Sequence, residues 1–593
     1  MKIHCWILFE ITSRVSALTY KAAVVEIAAD ENSSYTLRKE LTIDSTIALA
    51  NEAAQAGAQI IVFPEYGLIG WPNTPYDTTQ KAAYAELFEE IPEPTGDIPC
   101  LNPSLYSNAP TIVALSCGAM NNNISIVGCM GDIVSCPNSD YPGCRESSDG
   151  HLQFNTAVAF DTDGTFLVKY HKTNFWGEDN YLDPPQGCQQ VTFDTSFGVT
   201  FGLAICADIF YEFPNKALID NGIQNFVSPI AWSNYMAHMQ AMSWHQGWSL
   251  RNCVNIMFAN YPWNYGQNSI STGSGIFSCG EVKASYYKTP TWNPQKMGTI
   301  IYADLDSDVS LQAPSTLEPS SLLTWDATGN PGWQFAPLAE GYVCSDTICC
   351  YASNFVGKTY GYSIGALGGI DSGCGNYEYG YDCGIASYHW PAEVCGIFSC
   401  MDQTGTCLDY QTPTGNLTGV RLETRVSTNS TVLPHVLAYG TSGTTSEQIL
   451  IEPGTGLNFF QNGKVVVLTI DSFPHPISSA EIYGRLYEKD NLLYTCPVSS
   501  ETEKNESDFS TDQSNVDTVN GGKEEENGFP TDQSNADTSN EENEEEGISK
   551  EENGEDNDFS MDQTNKGTSN GRGKEEGIVK YISIVAIFRL FFQ

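Results

Sequence analysis

Between Lys21 and Phe63 the chain runs through an apolar stretch, a helical stretch and a second apolar stretch. Residues 21–28 (KAAVVEIA) leave almost no polar face, which predicts a strand buried on both sides. Ile43, Ile47, Ala50 and Ala54 follow at helical spacing and predict a helix with one apolar face. Gly57 stops that helix as a C-terminal cap, and residues 58–63 form a second buried strand. Parallel strands need such a crossover, so the region reads as an α/β fold. The same texture continues at 155–160, 191–205 and 225–229, with later strands expected at 250–259 and 275–277. Asp161-Thr162-Asp163-Gly164 and Ser196-Phe197-Gly198 read as hairpin turns.

Three of these apolar runs end in reactive groups. Ile60-Ile61-Val62-Phe63-Pro64 delivers the Glu65 carboxylate, residues 166–171 deliver the Lys172 amine, and residues 202–205 deliver the Cys206 thiol. A strand end holds a side chain at a fixed place while opening it to a ligand. Thiol, carboxylate and amine together suit covalent hydrolysis of an amide: the carboxylate takes the thiol proton, and the ammonium steadies the oxyanion. The backbone N–H of Ala207 is a candidate second oxyanion donor, and Glu178 a candidate partner that keeps Lys172 charged and aimed. Each residue also has a plainer reading. A buried cysteine is usually inert, a Pro-Glu after a strand is usually a loop, and Lys172 has a competitor in Lys169. His171 offers a Cys–His pair instead.

The formal net charge of −44 is uneven. Residues 501–576 carry 24 Asp and Glu against 6 Lys and Arg, so −18 lies there. With no basic patch, such a surface repels nucleic acid and anionic membrane. In that stretch Phe509-Ser-Thr-Asp-Gln-Ser-Asn recurs from Phe529 and again from Phe559 with small changes. A sequence of this kind buries too little apolar area to offset its ordering entropy and reads as a disordered acidic stalk. Ten of the 19 cysteines lie from Cys279 to Cys496 and the set lacks Cys-x-x-Cys metal spacing, so disulfides in an oxidising compartment account for them and no metal site is expected. Sequons at Asn32, Asn123, Asn416, Asn429 and Asn505 agree with an extracellular glycoprotein. The ends read as addresses. Residues 1–17 form a candidate signal segment, with Lys2 before a short apolar run that Glu10 and Arg14 interrupt. Ser569-Asn570-Gly571, a polar spacer and the apolar run 581–592 have the order of a glycosylphosphatidylinositol (GPI) attachment signal. Membrane contact is expected only through that anchor.

Three segments resemble the nitrilase (carbon–nitrogen hydrolase) superfamily. They are Val62-Phe63-Pro64-Glu65-Tyr66-Gly67-Leu68, Lys169-Tyr170-His171-Lys172-Thr173-Asn174-Phe175 and Ile205-Cys206-Ala207-Asp208-Ile209-Phe210. Ser228-Pro229-Ile230-Ala231-Trp232 and Gly273-Ser274-Gly275-Ile276 add to the likeness. Ile348-Cys349-Cys350 and the run from Tyr483 to Asp490 resemble its vanin and biotinidase group. The resemblance implies a four-layer α-β-β-α sandwich over 18–310 and a smaller, disulfide-rich β domain over 311–497. The acidic stalk at 498–576 and the tail at 577–593 would follow. It implies Glu65, Lys172 and Cys206 as catalytic residues, Glu178 as the supporting glutamate, and no cofactor. The implied activity is hydrolysis of a small linear amide, pantetheine first and biocytin second. A catalytically idle adhesion protein is the reading from another class. Trp232, Tyr235 and Trp244 are candidates for an acyl pocket or for core. Cys253, in a strand-like run, is expected to be a free buried thiol. The sequence leaves oligomeric state open.

Overall fold

The computed structural model describes residues 18–489 except 29–34, 71–80, 82–83, 137–142, 145–146, 148, 177, 179–180, 186, 188, 235–236, 238, 265–269, 289–297, 310–319, 321–329, 331, 346, 372–389, 401–412, 414, 443–444, 452 and 454–455. The signal segment, the stalk, the apolar tail, Asn32, Asn505 and Tyr235 lie outside the described residues.

The first half contains strands β1 (Thr19–Glu26), β2 (Ile60–Val62), β3 (Ser125–Ser135), β4 (His151–Phe160), β5 (Phe166–His171), β6 (Thr192–Asp194) and β7 (Thr200–Leu203). They are followed by β8 (Asn225–Ile230), β9 (Asn255–Asn260), β10 (Trp263–Asn264), β11 (Ile270–Ser271), β12 (Ser274–Ser278), β13 (Glu281–Tyr286) and β14 (Thr299–Asp306). The helices are α1 (Tyr35–Gln55), α2 (Pro110–Asn122), α3 (Asn215–Asp220) and α4 (Ala241–Asn252). Two six-stranded sheets form, in the orders β14-β1-β2-β3-β4-β5 and β13-β12-β9-β8-β7-β6. The central strands β1, β2 and β3 run parallel, as do β7, β8 and β9.

Alternation along the strands sets the layers. Ala22, Val24, Ile60, Val62, Val127 and Ala157 face the second sheet, while Ala23, Val25, Ile61, Ile126 and Val158 face α1 and α2. Each aliphatic side chain buried this way contributes about 1.5–3 kcal/mol. With α4 covering the second sheet through His245 on Phe258 and Trp248 on Phe226, the order is α-β-β-α, as expected.

The helices depart from the sequence pattern in two places. The most buried positions of α1 are Arg38, Thr42, Thr46, Leu49, Ala50 and Ala53, about one residue before the apolar stripe. Thr42 enters the interior because its hydroxyl bonds the Arg38 carbonyl at 2.8 Å. Ile47 sits half-buried between the helices, where Gly118 of α2 leaves it room. The strand expected at 250–259 begins only at Asn255, because α4 continues through Asn252. Every residue of α4 from Ala241 to Ser249 is buried, so no polar face marks its period. Cys253 is not a free thiol. It caps α4 in the left-handed conformation (φ 47°) and is disulfide-bonded to Cys279.

Among the described residues the second half is built mainly of strands. Strands β15 (Gln334–Pro337), β16 (Tyr342–Cys344), β17 (Cys349–Val356), β18 (Tyr362–Asp371), β19 (Trp390–Ser399) and β20 (Gly419–Arg425) come first. They are followed by β21 (Thr431–Ser442), β22 (Thr445–Ile449), β23 (Leu457–Asn462), β24 (Val465–Ile470) and β25 (Ile477–Arg485). Sheets β15-β18-β19-β25-β21-β22 and β16-β17-β20-β24-β23 enclose their own core, stapled by Cys344–Cys349 and Cys350–Cys395. The larger sheet packs its other face on the first half, with Trp390, Val394, Leu433 and Tyr483 joining the first core. Contact with α4 is close. A Cβ on Gly247 would lie 2.3 Å from the Pro434 carbonyl oxygen and 2.9 Å from the His435 ring. Gly247→Ala therefore forces β21 off the helix, and chemical unfolding of the full chain should show a loss of about 1–3 kcal/mol.

Candidate active site

Strand ends collect the chemistry. Phe63 extends β2 by bonding Val127 of β3, and Glu65 follows two residues later. Lys172 comes directly after β5, with its N–H on the Asn155 carbonyl at 2.8 Å. Cys206 opens a 3-10 turn (Cys206–Phe210) beyond β7. All three are buried, and the thiol is unbonded to any other cysteine.

Their side chains meet. Lys172 Nζ lies 2.8 Å from Glu65 Oε1, and 2.7 and 2.8 Å from the two oxygens of Glu178. Glu178 is held in turn by the Tyr66 hydroxyl at 2.8 Å and the Trp176 N–H at 2.9 Å. The Cys206 sulfur interacts electrostatically with both Glu65 and Lys172, which places it in the same buried cluster. One cation thus serves two buried carboxylates. Burial raises the Glu65 carboxyl above its ordinary value, with Glu178 adding to the rise and Lys172 opposing it. Burial and then the Glu65 charge push the Cys206 thiol well up. Lys172 is also pushed up, because Glu178 and Glu65 outweigh its desolvation. At neutral pH the thiol therefore rests protonated beside a strengthened base, a pair suited to proton transfer as the sulfur attacks.

The turn that carries the sulfur is strained and anchored. Cys206 adopts φ 45°, a region that non-glycine residues occupy at a cost of order 1–3 kcal/mol. Asp208, fully buried, fixes it. Its carboxylate accepts from the Ile205 N–H (2.9 Å), the Tyr170 hydroxyl (2.8 Å), and the Asn174 N–H and side-chain amide (2.9 Å each). Phe210 ends the turn among Trp176, Trp232, Trp244 and Trp390, with ring centroids 4.4–5.4 Å away. Its carbonyl accepts from Arg485 Nε at 3.0 Å, so β25 reaches the turn that carries Cys206.

The competing sequence candidates go elsewhere. Lys169 bonds Asp132 and Glu93, and His171 stacks on Phe154 with Nε2 2.8 Å from Asp132. Both project from the helix side of the first sheet, away from the thiol. Trp232 and Trp244 are core, packed on Phe210. Sequence reasoning missed Asp208, Asn155 and a second free thiol, Cys129. Only Asn155 carried a signal, as a polar residue within an otherwise apolar strand.

The chain matches the carbon–nitrogen hydrolase model over residues 21–310 and the vanin C-terminal domain model over residues 335–490. A pantetheinase of Bos taurus is 30% identical over 521 residues, covering 82% of this chain and 94% of that protein. The chain belongs to the vanin and biotinidase group of the carbon–nitrogen hydrolases. A pantetheinase of Homo sapiens is 29% identical (82% of this chain, 92% of that one), and a biotinidase of Takifugu rubripes is 32% identical (59% and 71%). Among solved structures, an amidase from Nesterenkonia sp. aligns at 15% identity and TM-score 0.35, covering 49% of this chain and 92% of that one.

In this hydrolase the Asp208 carboxylate satisfies several buried donors at once, and removing it strands them. Asp208→Ala should cost about 3 kcal/mol in urea unfolding, and reaction of Cys206 with iodoacetamide should quicken at fixed pH as the turn loosens and the sulfur gains exposure.

Proposed function

We propose that the chain is an extracellular amidohydrolase that cleaves pantetheine to pantothenate and cysteamine through a Cys206 thioester. The observation that carries this reading is the meeting of a free thiol, a raised carboxyl and a doubly held lysine in one buried site. Glu65 takes the thiol proton as Sγ attacks the amide carbon. Nζ of Lys172 has an N–H left for the oxyanion when its two Glu178 contacts share one hydrogen, and the Ala207 N–H supplies a second donor. The tetrahedral adduct then expels the amine, which leaves with the proton from Glu65. Water gives a proton to Glu65 and attacks the thioester. Collapse releases the carboxylic acid, and the proton returns to sulfur. No metal or organic cofactor enters these steps.

The pantetheinase relatives, aligned along most of their length, support the substrate. The biotinidase of Takifugu rubripes makes biocytin the second candidate, and kcat/KM for the two amides separates them. Five disulfides among the described residues and exposed sequon asparagines at 123, 416 and 429 support an extracellular setting, with residues 577–593 as a GPI signal.

Cys206→Ser should leave the fold intact and reduce pantetheine turnover to background. Turnover near that of the parent would end the reading, and a parent chain inert toward both amides would favour adhesion. The pH profile follows from the shifts. Activity needs Glu65 ionised, so the acid limb of kcat/KM should lie above the ordinary carboxylate value of about 4.3. It also needs the Cys206 proton and the Lys172 charge, both pushed up, so activity should persist beyond the ordinary thiol value of about 8.5. An acid limb at or below the ordinary carboxylate value of about 4.3, or an alkaline fall that sets in below the ordinary thiol value of about 8.5, would contradict the arrangement.

A further inference from the structure

Glu65 needs a particular pose, because only one of its oxygens can face the thiol. Oε1 accepts two hydrogen bonds, from Lys172 Nζ at 2.8 Å and from Asn155 Nδ2 at 2.7 Å. The same Asn155 amide reaches Glu178 Oε1 at 3.2 Å. It therefore spans the two carboxylates that share the lysine. Its own oxygen is engaged on the other side, 3.1 Å from Cys129 Sγ. Asn155 is 1% exposed and Cys129 fully buried, both on the inter-sheet faces of neighbouring strands β4 and β3. The Cys129 thiol is pushed well up by burial, so it stays protonated and donates to the amide oxygen. That hydrogen bond sets which end of the amide meets the carboxylates. The reverse flip would place oxygen against oxygen.

We infer that Asn155 is a positioning residue for the hydrolysis: with Cys129 fixing its orientation, it saturates Oε1 of Glu65 and turns Oε2 toward the Cys206 sulfur. This rests on the assignment of Glu65 as the base. The residue type is what the task requires. A cation here would bind Glu65 tightly enough to weaken it as a base, and a third carboxylate would repel the pair. An amide supplies two donors and no charge, so both carboxylates are held while Glu65 keeps its basicity. The ionisable groups facing Glu65 are Lys172, Glu178, Cys206, Cys129 and Tyr66. Of these only Lys172 is cationic, which leaves Asn155 as the uncharged donor against it.

The test uses the full chain and pantetheine, with kcat, KM and the pH profile of kcat/KM for Asn155→Ala and Asn155→Asp. Loss of the amide removes a hydrogen bond from the ionised carboxylate, so its proton affinity rises and the acid limb moves to higher pH. Asn155→Ala should lower kcat on the order of 10²-fold with KM changed only a few-fold, since the base and not substrate binding is displaced. Asn155→Asp should move the limb further. An acid limb where the parent has it, or a loss confined to KM, overturns the inference. Should Asn155→Ala fail to fold, Asn155→Ser keeps one donor and should show a smaller shift in the same direction; an unshifted limb there is equally fatal. Glu65→Gln and Cys206→Ala measured alongside separate the two claims. If either turns over like the parent, the active-site reading fails whatever Asn155 does. If both are inert while Asn155→Ala matches the parent, only the positioning role fails.

Discussion

The buried ammonium of Lys172 is the interaction on which the site depends. Two carboxylates in a space this dry cannot both stay ionised alone, and the ammonium lets them. Desolvating three charges costs several kcal/mol per ion after relaxation, and their attraction offsets this only with good geometry and further hydrogen bonds. The structure supplies those bonds from Tyr66, Trp176 and Asn155. The arrangement still falls one positive charge short of neutrality. Burial raises the Glu65 carboxyl, the Glu178 charge adds to the rise against the pull of Lys172, and a raised carboxyl suits the role of a thiol base.

Geometry of this quality comes from the sheets. Glu65 and Cys206 extend from parallel strands in two facing sheets, and Lys172 from an antiparallel strand of the first. Strand spacing therefore fixes the separation of the three groups before any side chain adjusts. The second half of the chain then presses on the same place from outside. Trp390 stacks on Phe210 with centroids 5.2 Å apart, and Arg485 holds the Phe210 carbonyl, so the turn that starts at Cys206 ends under β19 and β25. The strain at Cys206 persists because Asp208 on one side and this aromatic cluster on the other over-determine the turn.

Much of this was legible because it is local. An apolar strand ending in Glu65, Lys172 or Cys206 shows both the element and the group it delivers within seven residues. Asn155 and Asp208 were not legible, since their meaning lies in partners from other strands and loops that no spacing reveals. Glu178 is a candidate by its place six residues after Lys172, but it sits in a loop, and only the fold shows which ammonium it meets. Periodicity failed where burial was complete, as in α4, whose polar residues find partners inside. Cys253 and Cys129 show the same limit. A thiol in a strand-like run and a thiol in a true strand look alike, yet one caps a helix in a disulfide and the other supports the site.

A thiol held well above its ordinary pKa has a consequence for chemistry in oxidising surroundings. Oxidation and disulfide exchange proceed through the thiolate, so a low-pKa cysteine beside many disulfides would soon be capped. Cys206 stays protonated at rest, and its 7% exposure limits access further. In the proposed mechanism it becomes nucleophilic only as Glu65 withdraws the proton during attack on a bound carbonyl. The dry, acid-rich cluster that makes Glu65 a stronger base also suppresses the free thiolate, so one desolvation serves both reactivity toward the amide and inertness toward everything else.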